Sequence, residues 1–269
     1  MTLADGIRES SPILQMANRL EISDEEWGVI YPILATHKHV RVRCEKQCRS
    51  FLVAVLWILR GGMPWRMLPE TLGRWNSIFK RFARWCGYGV WDAVHAGCMH
   101  LPDLQAVFID STVNRAHPCA AGAAQSDAES EALGRSRGGF STKVHAITDA
   151  LGNPLEFVLT GGQASDIGQA ETLLALTPAG AEAFVGDKGY DADPLVQAIE
   201  ERGMKPVIPP RSGRTQAREC DWFVYKERHL IECFFNKIKH YRRIFSRYEK
   251  RARNYMGFLR FVAALIWLR

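Results

Sequence analysis

Apolar positions recur along the chain with two different periods, and the change between them falls near residue 104. Upstream the period is helical. Trp27, Ile30, Ile33 and Leu34 follow Ser23 and Glu26, a capping-box pair that predicts a helix starting at Asp24. Residues 51–59 are apolar nearly all round, so the helix predicted over 47–60 has to lie beneath others, and Gly61, Gly62 and Pro64 end it. A third helix over 74–85 carries Trp75, Ile78, Phe79, Phe82 and Trp85 on one side and Lys80, Arg81 and Arg84 on the other. Three short helices with a tight turn and a basic third helix suggest a helix-turn-helix-like region, in which Lys80, Arg81 and Arg84 would lie on a recognition helix able to reach base edges in a DNA groove. A plain bundle packed on the rest of the chain, its cations merely solvated, has the same pattern.

Downstream the period shortens to that of strands. Residues 106–109, 141–148 and 155–160 predict three strands, with a turn at 149–154 between the last two, hence an antiparallel meander. A helix over 167–176, a strand over 183–186, a helix over 194–202 and a strand over 206–208 follow. Asp166 is placed to cap the first of these helices. Residues 116–139, rich in Ala, Gly and Ser, predict a long irregular loop, and 215–221 a shorter polar linker. Residues 1–20 have little periodicity and are expected to form a flexible leader.

Within residues 225–239, Tyr225, Arg228, Glu232 and Lys239 share one helical face, while Leu230, Ile231, Phe234, Phe235 and Ile238 take the other. A surface helix laced with ion pairs would look much the same. Two aspartates change the picture: Asp110 and Asp187 each end a short apolar run, as a strand does when it delivers a carboxylate to a sheet edge. Three carboxylates from distant parts of the chain can hold two hard divalent cations and drive in-line displacement at a phosphodiester. Asp149, Asp166, Asp191 and Asp193 sit at turns or helix starts, where each has a structural use. Arg228 and Lys239, one turn before and two turns beyond Glu232, can face the same groove and hold backbone phosphates.

Charge is distributed to match. Residues 101–201 hold 5 Lys and Arg against 15 Asp and Glu, and residues 202–269 hold 17 against 5. An acidic centre beside a basic tail can be self-complementary, or it can be a carboxylate site flanked by surfaces for phosphates. The seven scattered cysteines, with no signal peptide ahead of them, predict reduced thiols. No apolar run reaches the ~20 residues that a bilayer core requires. His37, His39, Cys44 and Cys48 match no common zinc spacing, and Phe140 stands where a phosphate-binding loop over Gly134 and Gly139 would need Lys. That loop is better read as Arg135, Arg137 and Lys143 on glycine hinges, placed to meet DNA near the metals.

The spacing Tyr-x2-Arg-x3-Glu-x6-Lys from Tyr225 to Lys239 resembles the signature of bacterial insertion-sequence transposases of the DDE class, IS-five type, without departure. Blocks at residues 110–112, 134–143, 161–166, 187–191 and 207–211 are similar to that family's in the same order. The resemblance implies a mixed α/β fold: a ribonuclease-H-like catalytic domain over 101–269, with a five-stranded mixed sheet, helices and basic C-terminal helices. A small all-α helix-turn-helix-like domain over 21–100 would precede it. It implies cleavage and strand transfer at insertion-sequence ends, with Asp110, Asp187 and Glu232 as catalytic and metal-binding residues for two Mg²⁺ ions, Mn²⁺ substituting. Tyr225, Arg228, Lys239, Arg242 and Arg243 would hold DNA. The implied partners are double-stranded DNA, both the element's terminal inverted repeats and the target, and further copies of the chain in a homodimer or higher oligomer. The implied setting is the bacterial cytoplasm, at the nucleoid when bound. Two other classes share these residues: a nuclease that never strand-transfers and a DNA-binding protein without turnover.

Overall fold

The structure is a computed structural model that describes residues 20–42, 44–124, 126–136, 138–215 and 218–269. The expected leader lies, apart from Leu20, outside the described residues, as does Arg137.

Helix α1 spans Asp24–Thr36 and begins as the capping box dictates, with Ser23 Oγ accepting from the Glu26 amide at 3.2 Å and Glu26 Oε2 from the Ser23 amide at 3.0 Å. Helix α2, Glu45–Gly61, is buried along most of its length and ends at Gly62, whose φ of 68° is the left-handed cap. A Cβ at Gly62 would meet Cβ of Arg242 at 2.8 Å, so close approach of the C-terminal segment also requires glycine there. Helix α3, Trp75–Gly87, buries Phe82 and Trp85. Helix α4, Val90–Cys98, was not anticipated: glycines at 87 and 89 break the helical pattern just ahead of it.

Strands follow in the expected sequence but with different limits. Strand β1 is Val107–Ala116, β2 Gly134–Ser136, β3 Gly139–Thr148 and β4 Pro154–Gly161. β1 and β4 flank β3, both antiparallel to it, which is the meander. Helix α5 (Ala170–Leu176), strand β5 (Ala183–Val185), helix α6 (Asp193–Glu201) and strand β6 (Lys205–Val207) then add two strands parallel to β1, in the order β3-β1-β5-β6. β1 continues past Asp110 because residues 110–115 pair with 141–146 of β3. β2, in the stretch expected to be irregular, forms a tight hairpin with β3.

Alternation along β1 sends Phe108 to one face of the sheet and Val107 and Ile109 to the other. The second face is covered by Leu173 and Leu174 of α5 and Leu195 and Ile199 of α6. The first is covered by the C-terminal helices: α7 (Trp222–Lys226), α8 (His229–Lys239), the short α9 (Arg242–Phe245) and α10 (Ala252–Leu268), with a two-residue strand β7 (Ser246–Arg247) along the far end of β1. α10 lies between the sheet and the N-terminal helices. Phe258 stacks on Phe82 at 4.3 Å, Phe261 meets Trp91 at 4.9 Å, and the same continuous core takes in Phe108, Phe157 and Phe234. The all-helical N-terminal region thus shares its core with the mixed sheet.

Candidate active site

Strand register brings the first two acids together. Phe108 pairs with Val185 in the parallel β1–β5 ladder, so residues two positions further on, Asp110 and Asp187, come side by side where β5 leaves the sheet. Asp187 caps the turn Lys188–Tyr190, its Oδ1 accepting from the Gly189 amide at 2.8 Å. Asp110 Oδ1 accepts from the Ser111 amide at 2.7 Å. Burial lifts the Asp110 pKa above the usual carboxylate value; the Ser111 amide and Arg228 pull against this, and the Asp187 charge pushes it higher.

The third acid arrives on α8, whose Ile231, Phe234, Phe235 and Ile238 anchor it in the core and leave Glu232 54% exposed. The stretch from Tyr225 to Lys239 is two helices rather than one: α7 is capped by Asp221, and hydrogen bonds tighten to an i to i−3 pattern through Glu227 and Arg228. Arg228, at this break, donates through Nη1 to Asp110 Oδ2 at 2.7 Å and through Nη2 to Glu232. Burial opposes its charge, yet Asp110, Tyr225 and Glu232 together raise its pKa. Tyr225 is half-buried against Trp222, at 5.6 Å, with the Arg228 guanidinium 5.9 Å from its ring.

Other expected cations fall into two groups. Lys80, Arg84, Arg135 and Arg242 are exposed, and Lys239 is half-exposed. Lys143 and Arg243 are not available as expected. Lys143 is buried on the opposite face of the sheet from Asp110, with Nζ donating to the Ala164 carbonyl at 2.6 Å and to Asp166 at 3.2 Å. Arg243 is buried against Trp65, Tyr248 and Phe258 and paired to Glu249 at 2.6 Å. The basic tail is absorbed further along: Arg247 is fully buried among carbonyls and Thr142, and Arg251 is bound to Glu131 at 2.7 Å. Segment charge could not separate cations that face solvent from cations that brace a loop.

Asp166 differs from its expected role as a helix cap, and Asp191 has its structural use through remote residues. Asp166 makes no side-chain cap; it accepts from Ser111 Oγ at 2.5 Å and pairs with Lys143, with the buried His145 ring 3.7 Å away. Asp191 is buried and wholly engaged by the Arg211 amide, Arg214 and Arg218, which hold its pKa low despite burial. Arg211 in turn donates to the carbonyls of Lys188 and Gly189, clamping the turn that follows Asp187. This clamp was missed because its arginines sit in a stretch with no periodicity.

Carboxylate oxygens are the donors that a hard divalent cation takes. The Asp110–Asp187 pair is a like-charge contact that such a cation would relieve, and behind it the buried Tyr190 hydroxyl, under the influence of Asp110, Asp166 and Asp187, has no hydrogen-bond partner among the described residues. The residues therefore fit a metal in kind. Among the described residues, no three His, Cys, Asp or Glu side chains are yet grouped tightly enough to ligate one. Glu232 is held by Arg228 instead.

Residues 101–267 match the family described as "Transposase DDE domain", and residues 22–95 match "Putative transposase of IS4/5 family". The chain belongs to the DDE transposases. A Brucella ovis protein described as a putative transposase for insertion sequence element IS6501 is 44% identical over 132 residues, 48% of this chain and 100% of its own length. A Burkholderia cepacia counterpart, named for element IS402, is 32% identical over 135 residues, 46% of this chain and 62% of its own. The fold is similar to that of the piggyBac transposase in its synaptic complex with hairpin DNA, with a TM-score of 0.55 at 11% identity, over 94% of this chain and 73% of that one. The mixed sheet of this DDE transposase is thus ribonuclease-H-like. Its activity is cleavage and strand transfer, for which the family uses a divalent metal. No helix among the described residues is long and apolar enough to cross a membrane.

Proposed function

We propose that Asp110, Asp187 and Glu232 together bind two Mg²⁺ ions and that the chain cuts and joins DNA at the terminal inverted repeats of its element. The observation that carries this reading is the β1–β5 register, which sets Asp110 beside Asp187 under the helix bearing Glu232. When bound, the divalent pair would activate an attacking water or 3′-hydroxyl and offset charge on the leaving oxygen. The protein's own part is positional. Asp110 and Asp187, fixed by amides of Ser111 and Gly189, supply rigid donors, and the Arg211 clamp keeps the Asp187 turn in place. Arg228 and Lys239 lie on the Glu232 side, where they would hold the non-bridging oxygens of the scissile strand. Exposed Arg135 and Arg242 extend the grip along the backbone. The chain would act as a dimer or higher oligomer, because two element ends have to be held at once.

The test is incubation with duplexes carrying the element's terminal repeats and a target plasmid, with and without Mg²⁺. Joined product that requires the metal is the expected result. Nicks without joining would make the protein a nuclease, and binding without either would make it a DNA-binding protein.

A further inference from the structure

A cleft of about 410 Å³ opens between the loop that joins α1 to α2 and the C-terminal end of α3. Its cations are Lys38 and Arg41 from the loop and Arg81 and Arg84 from the helix, and its walls are completed by Trp85 and by His39 stacked on Tyr88 at 4.3 Å. Among the described residues no carboxylate lines it. Elsewhere arginines are mated: Arg49 to Asp24, Arg214 and Arg218 to Asp191, Arg260 to Glu156, Arg269 to Glu26. Among the described residues none of the four cleft cations makes an ion pair. Four like charges gathered without a counter-ion repel one another, and the arrangement becomes favourable when an anion enters.

The floor is rigid. The Arg81 guanidinium sits 4.3 Å from the Phe51 ring centroid and 4.8 Å from that of Trp85, and it donates to Cys48 Sγ at 3.2 Å. So held, it cannot extend to base edges in a groove, which is the role the basic helix alone suggested for it. Lys38, Arg41 and Arg84 stand exposed around it. A fixed guanidinium fork with mobile cations at the rim is the geometry that receives a phosphate, not one that discriminates among bases.

We propose that this cleft seats a backbone phosphate of duplex DNA and anchors the helical region without reading sequence. The proposal rests on the DNA-transposition reading above and adds Lys38 and Arg41 to the surfaces that hold DNA.

The double variant Lys38→Ala, Arg41→Ala tests it, because both side chains are exposed and make no ion pair among the described residues, and an unchanged melting temperature will verify the fold. Binding is titrated at several salt concentrations against a duplex with the terminal repeat and a scrambled duplex. Both affinities should fall by a similar factor, on the order of tenfold, with the salt dependence flattened by about one unit for each phosphate no longer held. Unchanged affinity in the variant, with wild type binding DNA normally, overturns the cleft and leaves the transposase reading standing. Loss confined to the repeat-bearing duplex also overturns it, since the two residues would then be reading bases. Wild type that binds neither duplex overturns the reading on which the cleft depends. A parallel titration with inorganic phosphate separates a small-anion site from a DNA site: phosphate binding that the variant abolishes while duplex affinity stays intact counts against the proposal.

Discussion

Arg228 spans the candidate active site, its Nη1 2.7 Å from Asp110 Oδ2 while its other terminal nitrogen engages Glu232. One guanidinium thus partners two of the three acids, and a divalent cation on the same oxygens would have to displace it. Arg228→Gln should therefore tighten Mn²⁺ binding to the DNA-free protein by several-fold, read as loss of the free Mn²⁺ signal in electron paramagnetic resonance titrations. Strand cleavage in the same variant should fall, because the guanidinium would no longer hold the scissile phosphate. Weaker Mn²⁺ binding would show that Arg228 organises the acids rather than competing for them.

Asp110→Asn, Asp187→Asn and Glu232→Gln preserve shape and remove one charge each. Each should abolish cleavage and leave DNA affinity within a few-fold of wild type, since the cations that hold backbone are separate residues. Gel-shift and cleavage assays on one protein sample give both numbers. Normal cleavage by Glu232→Gln would move the third ligand elsewhere, but not to Asp191, whose oxygens are taken by Arg211, Arg214 and Arg218.

Arg243 stands in the densest basic stretch of the sequence, yet its guanidinium is buried between aromatic rings and bound to Glu249 and to the Met63 carbonyl at 2.5 Å. Breaking a buried pair leaves one charge uncompensated at a cost of about 3–5 kcal/mol. Arg243→Met should lower the unfolding free energy by that amount, seen as an earlier denaturant midpoint, while sparing DNA affinity of the fraction that remains folded. Arg242→Met, at an exposed neighbour, should do the reverse. Equal stability of the two variants would return Arg243 to the DNA surface.

These contrasts mark what the sequence made legible. Periodicity located the first three helices and the order of the core strands, because one face of each is buried and its apolar positions record this. It placed Asp187 just past its strand, but Asp110, read as a strand end, lies within β1, since residues 110–115 are polar and held in the strand by pairing with β3. Cations were the least legible. Lys143 and Arg243 look like Lys80 and Arg242 in sequence, and only packing against Asp166 or Glu249 tells them apart. Asp166, assigned to a helix start, and Asp191, assigned to a turn, are each satisfied by side chains or amides from remote segments, which no local pattern records.

The pH dependence of stability should be set by two buried histidines. Burial and the adjoining Arg260 push the His95 pKa down to about 3; burial pushes that of His145 down to about 4, with Asp166 opposing and Lys143 assisting. Their unfolded values are near 6.5. As pH falls below 6.5 the unfolded chain takes up protons that the folded one refuses, so stability is lost from pH 6.5 down to about 4 through His145 and down to about 3 through His95, and is flat with respect to these groups above pH 6.5. Each tenfold difference in proton affinity is worth about 1.4 kcal/mol, large against a total of about 5–15 kcal/mol. Asp191, whose pKa is lowered, contributes stability that is lost only as pH falls below its unfolded value of 3.8, at the acid end of this window; Asp110, with a raised pKa, acts in the opposite sense. Calorimetric melting from pH 8 to 4.5 should show a plateau followed by a decline, and His145→Gln should lessen the slope of the decline. An identical slope in that variant would assign the acid sensitivity to groups other than His145.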